Sequence, residues 1–183
     1  MDDDGELLLA GYLSVPRAVR ADRLSPILLP EMLISISDCL TGVEHGPDPA
    51  TPWHLDPAGA RRFEGHLLAI GFSCGDATER LAELDGSAAP ESADLLAASH
   101  PMPPEARVRG FEPIGVEGEL WSFHSWLCHG YETEVATVLG ILPNRWGLLD
   151  TCRQAHDVLD WMLTSAVGVE PVHWTAAAIA ECD

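Results

Sequence analysis

A chain of 183 residues, 46% apolar and 21% charged, is long enough to bury a core without cross-links, and this composition excludes disorder of the whole chain. Acidic residues outnumber basic ones 29 to 10, for a formal charge of −19, and every one of the ten cations is arginine. Arg61 and Arg62 are the only adjacent pair, so no stripe of cations exists to track phosphates, and nucleic acid and anionic membranes are excluded as partners.

Leu7, Leu9, Leu13 and Val15 fall on alternate positions before Pro16, and this predicts a strand over residues 6–15. Pro26 and Pro30 bracket a connector, after which Met32-Leu33-Ile34-Ser35-Ile36 reads as a second strand. From Asp38 to Pro57 the density of Gly, Pro and Asp predicts a long loop. Asp56-Pro57 then starts a helix: the Asp side chain accepts from an orphan amide, Pro has no amide to leave unpaired, and Phe63, Leu67 and Ile70 follow at helical spacing. A second start at Asp76 to Glu79, with Ala77, Leu81 and Leu84 on one side, runs to Gly86. The Ala-, Ser- and Pro-rich stretch that follows holds a short helix around residues 91–99 and a weak internal boundary near 87–104.

Arg107 to Val116 predicts a strand. A helix is expected from near Ser122 to Leu139, with Cys128, Tyr131, Val135, Val138 and Leu139 as its stripe. Pro143 to Gly147 is a turn. Thr151 and Gln154 then form a capping box for a helix lined by Leu148, Cys152, Ala155, Leu159 and Met162. Val172, Trp174 and Ile179 suit a half-buried pleat, so Val169 to Cys182 is assigned as a strand. Together these elements predict one α+β domain over residues 1–183, a small mixed or antiparallel sheet covered by helices.

The five cysteines (Cys39, Cys74, Cys128, Cys152, Cys182) are odd in number, widely spaced and without a C-x-x-C pair. They are expected to be free thiols in a reducing compartment. The acidic start, Met1 to Asp4, is the wrong sign for a signal peptide, and no apolar stretch is long enough to span a membrane, so a cytoplasmic protein is expected.

Chemistry concentrates in the run from Trp121 to Glu132. On a helix, His124 and Cys128 would share a face, either as a thiolate–imidazole pair with Glu132 and Asn144 available as accessory groups or as two metal ligands. His156 is the first candidate to extend a metal set, with His66, His173 and Cys152 behind it. Against these stands the plainer assignment of Cys128 to the apolar stripe. Trp126 and His129 are candidate binding residues, as are Glu79, Glu83 and Asp85, an acidic group on the second predicted helix. Phosphate-cradling glycine loops, G-x-S-x-G and H-E-x-x-H are absent, and no cofactor is expected.

The stretch Phe111 to Gly115, the run His124-Ser125-Trp126-Leu127-Cys128, Asn144 with Gly147-Leu148, and Glu170-Pro171 with Trp174 resemble a group of uncharacterised bacterial proteins. In that group Asn is expected where this chain has His129. The resemblance implies no activity. Two functions are therefore carried forward: an acidic cytosolic binding protein of inhibitor or immunity type acting on a basic partner, and a small enzyme or metal site centred on His124 and Cys128.

Overall fold

The computed structural model describes residues 6–16, 33–42, 53–54, 56–73, 100–117 and 122–182. The expected helices at 76–86 and 91–99 lie outside them, as do the acid group Glu79, Glu83 and Asp85, Met32 and Cys74.

Seven strands of the described residues form one antiparallel sheet. The long strands are β1 (Leu7–Val15), β3 (His66–Ser73), β5 (Arg107–Glu117) and β7 (His173–Glu181). They stand in the order β1-β3-β7-β5, and β6 (Ser122–Ser125) closes the β5 side. The two-residue strands β2 (Trp53–His54) and β4 (His100–Pro101) share the outer edge of β1, opposite Tyr12-Leu13 and Leu8-Leu9 respectively. The architecture is α+β, and its sheet is antiparallel rather than mixed.

β7 lies between β3 and β5, and its seven residues from Trp174 to Ala180 are all buried. A strand covered on both faces needs apolar residues on both parities, which explains the run Ala176-Ala177-Ala178-Ile179-Ala180. One face packs Leu13, Val15, Leu68, Ile70, Ile114 and Ile179 against Ile34, Ile36 and Leu148. On the other face Phe111, Trp174, Ala176 and Ala178 meet the helix α4 (Cys152–Ser165). That helix buries the predicted stripe of Cys152, Ala155, Leu159 and Met162 and adds Val158. Its capping box is formed as expected: the Gln154 amide donates to the Thr151 hydroxyl at 3.2 Å, and the Thr151 amide donates to Gln154 Oε1 at 3.3 Å.

Three expected elements are corrected. Asp56 does cap a helix, accepting from the Gly59 amide at 2.9 Å, but α2 is only Pro57–Ala60. Gly65 then adopts φ 151° where a Cβ would strike the Val15 carbonyl, and the chain turns into β3. Leu67 and Ile70 belong to a strand buried on both faces, whose near-continuous apolar run imitates a helical stripe over this short window.

The expected second strand is extended and buried but joins no ladder. The Ile34 amide donates to the Trp146 carbonyl at 2.9 Å, and the Ile36 amide donates to Glu112 Oε2 at 3.1 Å. Its donors are thus taken by a turn and a side chain. The predicted long loop holds α1 (Asp38–Thr41) at its start and β2 near its end.

The helix expected over 122–139 is three elements: β6, a 3₁₀ turn at Trp126–His129, and α3 (Glu132–Val138). Ser125 caps the turn, accepting from the Leu127 amide at 3.2 Å, and Gly130 ends it at φ 71°. Tyr131 and Val135 are buried as the stripe requires, whereas Val138 is 63% exposed.

Candidate functional site

The chemistry-bearing residues gather at the β6 end of the sheet. α1 lies along β6, and Asp38 Oδ1 accepts from the Phe123 amide at 3.2 Å, so one edge donor of the sheet is satisfied by this turn. The next residue of α1, Cys39, is joined to Cys128 by a disulfide with Cα atoms 6.6 Å apart. All five cysteines were expected to be free, and that expectation is overturned. The bond spans 89 residues of sequence, and spacing along the chain carries no sign of it. An odd count requires only that one thiol be left over. Cys152 and Cys182 are free.

Both bonded cysteines are partly exposed, and Ser37 is completely buried beneath them. The Ser37 hydroxyl lies 2.9 Å from the Cys39 sulfur and 3.0 Å from the Cys128 sulfur. Its backbone amide donates to the Ser35 hydroxyl oxygen at 3.0 Å, and the Ser35 hydroxyl donates to Glu112 Oε1 at 2.6 Å.

Glu112 is fully buried on β5, opposite Ala177 of β7. Its carboxyl receives the Ser35 hydroxyl and the Ile36 amide. Ser125 stands opposite Ile114 in the β5–β6 ladder, so it is the diagonal neighbour of Glu112 on the same face. Burial raises the carboxyl above the ordinary glutamate range, and the polar groups of Ser35, Ser125 and Ile36 counteract part of that rise. Sequence reasoning passed over Glu112. A signal was present: it is a lone acid in an otherwise apolar and glycine stretch, Gly110-Phe111-Glu112-Pro113-Ile114.

The predicted site residues scatter around this centre. His124 is on β6 opposite Gly115, and Cys128 is in the 3₁₀ turn, so the shared helix face does not exist. A bonded Cys128 is neither a thiolate nucleophile nor a metal ligand, because both need the free sulfur. Glu132 is buried in the first turn of α3. His156 lies on α4, with Nδ1 2.9 Å from the Cys152 carbonyl oxygen of its own helix and 3.5 Å from the Cys152 sulfur. His66 approaches Glu181 at 3.3 Å, and His173 opens β7 opposite Val116. Among the described residues no three of His, Cys, Asp or Glu form a set able to hold a metal ion. Trp126 is 0% exposed, which makes it core and withholds it from any partner in this fold.

His129 does meet a polar partner. Its Nε2 lies 2.5 Å from Glu170 Oε2, without the alignment of a directed hydrogen bond, and His124 Nδ1 is 3.9 Å from Glu170 Oε1. The His129 ring stacks on Tyr131 at 5.0 Å. The Tyr131 hydroxyl donates to the Val167 carbonyl at 2.9 Å and is raised above its usual range by burial, then by the charges of Glu170 and Glu134.

Residues that carried the bacterial resemblance have structural work here. Asn144 Oδ1 accepts from the Trp146 and Leu148 amides, Gly147 sits at φ 78°, and Trp174 donates its indole proton to the Glu170 carbonyl at 3.1 Å. No family model matches the chain, nor does any curated protein or solved structure. No helix among the described residues is long and apolar enough to cross a membrane.

Proposed function

We propose that this chain is a thiol–disulfide redox protein whose reactive pair is Cys39 and Cys128. The observation that carries the proposal is the Ser37 hydroxyl within hydrogen-bonding reach of both sulfurs at a partly exposed disulfide. A thiolate from a partner dithiol attacks one sulfur, a mixed disulfide forms, and the other cysteine leaves as a thiolate. The second partner thiolate then breaks the mixed bond. Two electrons pass to the protein, the partner becomes a disulfide, and Cys39 and Cys128 end as thiols. The Ser37 O–H donates to whichever sulfur leaves, and a donor at a leaving thiolate lowers its pKa and speeds its departure. Partial exposure of both cysteines supports approach of a partner thiolate, as exchange requires.

The decisive experiment incubates the oxidised protein with a reduced dithiol peptide and follows both partners by alkylation and mass spectrometry under native conditions. Transfer of the disulfide to the peptide is expected, and Cys39→Ser or Cys128→Ser, offered the oxidised peptide instead, should form a mixed disulfide as its remaining thiolate attacks the peptide disulfide and displaces one peptide thiolate. A bond that stays intact until the protein unfolds would reduce the pair to a structural cross-link.

The charge of −19 supports a second element, a basic partner. Electrostatic steering favours encounter with cations and weakens with salt. A cationic dithiol peptide is therefore expected to exchange faster than an anionic one at low ionic strength, and the gap is expected to close as salt rises. Equal rates at low salt would separate the acidity from the site.

A further inference from the structure

We infer that Glu112 is the positioning residue of the Cys39–Cys128 pair, holding the two backbone arms that carry the sulfurs together when the bond between them is open. Its importance to function rests on the thiol–disulfide proposal above, but the positioning itself is testable apart from it.

The two cysteines sit on elements far apart in sequence. Cys39 follows the extended segment 33–37, which has no ladder of its own, and Cys128 follows β6 through a 3₁₀ turn. With the disulfide broken, something else must keep them opposed, or re-closing the bond carries the entropy cost of a long loop. Glu112 contacts both arms with one carboxyl. On the Cys39 arm it receives the Ser35 hydroxyl at 2.6 Å and the Ile36 amide at 3.1 Å. On the Cys128 arm it lies diagonal to Ser125 on the same face of the β5–β6 ladder, and the Ser125 hydroxyl, three residues before the cysteine, favours its charged form.

Both serines have a second task. The Ser35 oxygen also accepts from the amide of Ser37, whose hydroxyl touches both sulfurs. The Ser125 oxygen also accepts from the Leu127 amide and so caps the turn that presents Cys128. A carboxylate, with an acceptor oxygen on each side, suits polar hydrogens approaching from two arms. Full burial of that carboxyl carries a desolvation cost that a purely apolar core would avoid, and raises its pKa accordingly. Such a group is expected where position matters more than stability. Glu112 touches neither sulfur, so it acts through the arms and not on the chemistry.

The test measures two quantities in the full chain. The first is the effective dithiol concentration of the pair, from its equilibrium with reduced and oxidised glutathione. Glu112→Gln keeps one acceptor but turns an amide N–H₂ toward the remaining donors. Its effective concentration is expected to fall by about tenfold or more, the scale of one buried hydrogen bond to a charged group. Ser35→Ala and Ser125→Ala each release one arm, in milder variants that guard against misfolding, and a similar fall is expected in each. Combining either with Glu112→Gln should add less than the sum, because the same contact is removed twice.

The second quantity is hydrogen exchange at the Ile36 and Leu127 amides in a Cys39→Ser, Cys128→Ser background, where no bond can form. Protection there is expected to persist with Glu112 and to collapse with Glu112→Gln, while amides of β3 and β7 stay protected. Unchanged protection and unchanged effective concentration in all three variants would overturn the assignment. Should the wild-type bond fail to equilibrate with glutathione while Glu112→Gln still frees these amides, the redox function is lost and the positioning role stands.

Discussion

Ser35 donates its hydroxyl proton to Glu112 at 2.6 Å across 77 residues of sequence, and both residues are fully buried. This hydrogen bond ties an unladdered segment to the centre of the sheet and stands two residues from the hydroxyl that reaches both sulfurs of the disulfide.

Stability should depend on the protonation of Glu112 in a direction unusual for a carboxyl. Burial raises its folded-state value above the ordinary 4.5. The stability it contributes is therefore fully present below the unfolded value and is lost as pH rises through the folded one. Glu112→Gln has no such proton to lose. Urea unfolding of both proteins from acid to neutral pH should show the wild type falling relative to the variant from about pH 4.5 upward. A constant difference would mean that Glu112 is not held raised.

Thiol titration of the denatured, unreduced protein should count three of its five cysteines, since two are bonded to each other. Reduction should restore all five. Opening the bond frees a loop of 89 residues, and loop entropy alone puts the loss near ~4–5 kcal/mol. Cys39→Ser and Cys128→Ser should lower the denaturation midpoint by equal amounts, and the double variant by no more than either. Five thiols without reductant would remove the disulfide and the function proposed for it.

Gly147→Ala should destabilise the fold by about 1–3 kcal/mol. The residue sits at φ 78°, and a Cβ there would run into Leu33 Cδ1. Leu33 starts the segment that carries Ser35, so the damage should extend to Glu112 and reach the disulfide. Calorimetry and the rate of reduction by a dithiol would both record it, and an unchanged melting temperature would contradict the packing described.

Thr151→Ala removes one half of the capping box of α4 and should cost about 1 kcal/mol. The cap bonds run between Thr151 and Gln154 at the start of α4, although the helix itself packs on β5 and β7 in the apolar cluster that Cys39 and Cys128 border. Loss of the cap should lower the melting temperature while leaving thiol–disulfide exchange in the folded protein unchanged, which makes it the control for the variants above.

How much of this was legible in the sequence depended on the range of the interactions that decide each element. α4 was readable because its cap is three residues from Thr151 to Gln154 and its stripe repeats within one helix. The strands β1, β5 and β7 were readable because alternation or an apolar run is also a local pattern. Asp56 was correctly placed as a cap, but the length of its helix was not, because Gly65 and the neighbouring strands β1 and β7 draw residues 66–73 into the sheet. His124 and Cys128 were singled out on a helical spacing that Ser125 and Gly130 break, the one as a cap and the other at φ 71°.

Patterns a few residues long suffice for an acidic α+β chain and for the elements β1, β5, α4 and β7. The site depends on contacts between distant segments. Cys39 and Cys128 are partners at a separation of 89, and Ser35 and Glu112 at 77. Neither pair has a sequence signature, because a bond or a hydrogen bond depends on distance in space, and that distance is set by strand order and register in the sheet. Glu112 shows the point most plainly: a lone acid in an apolar strand looks like a solvated residue until the sheet closes over it and Ser35 and the Ile36 amide arrive from a segment 76 residues away.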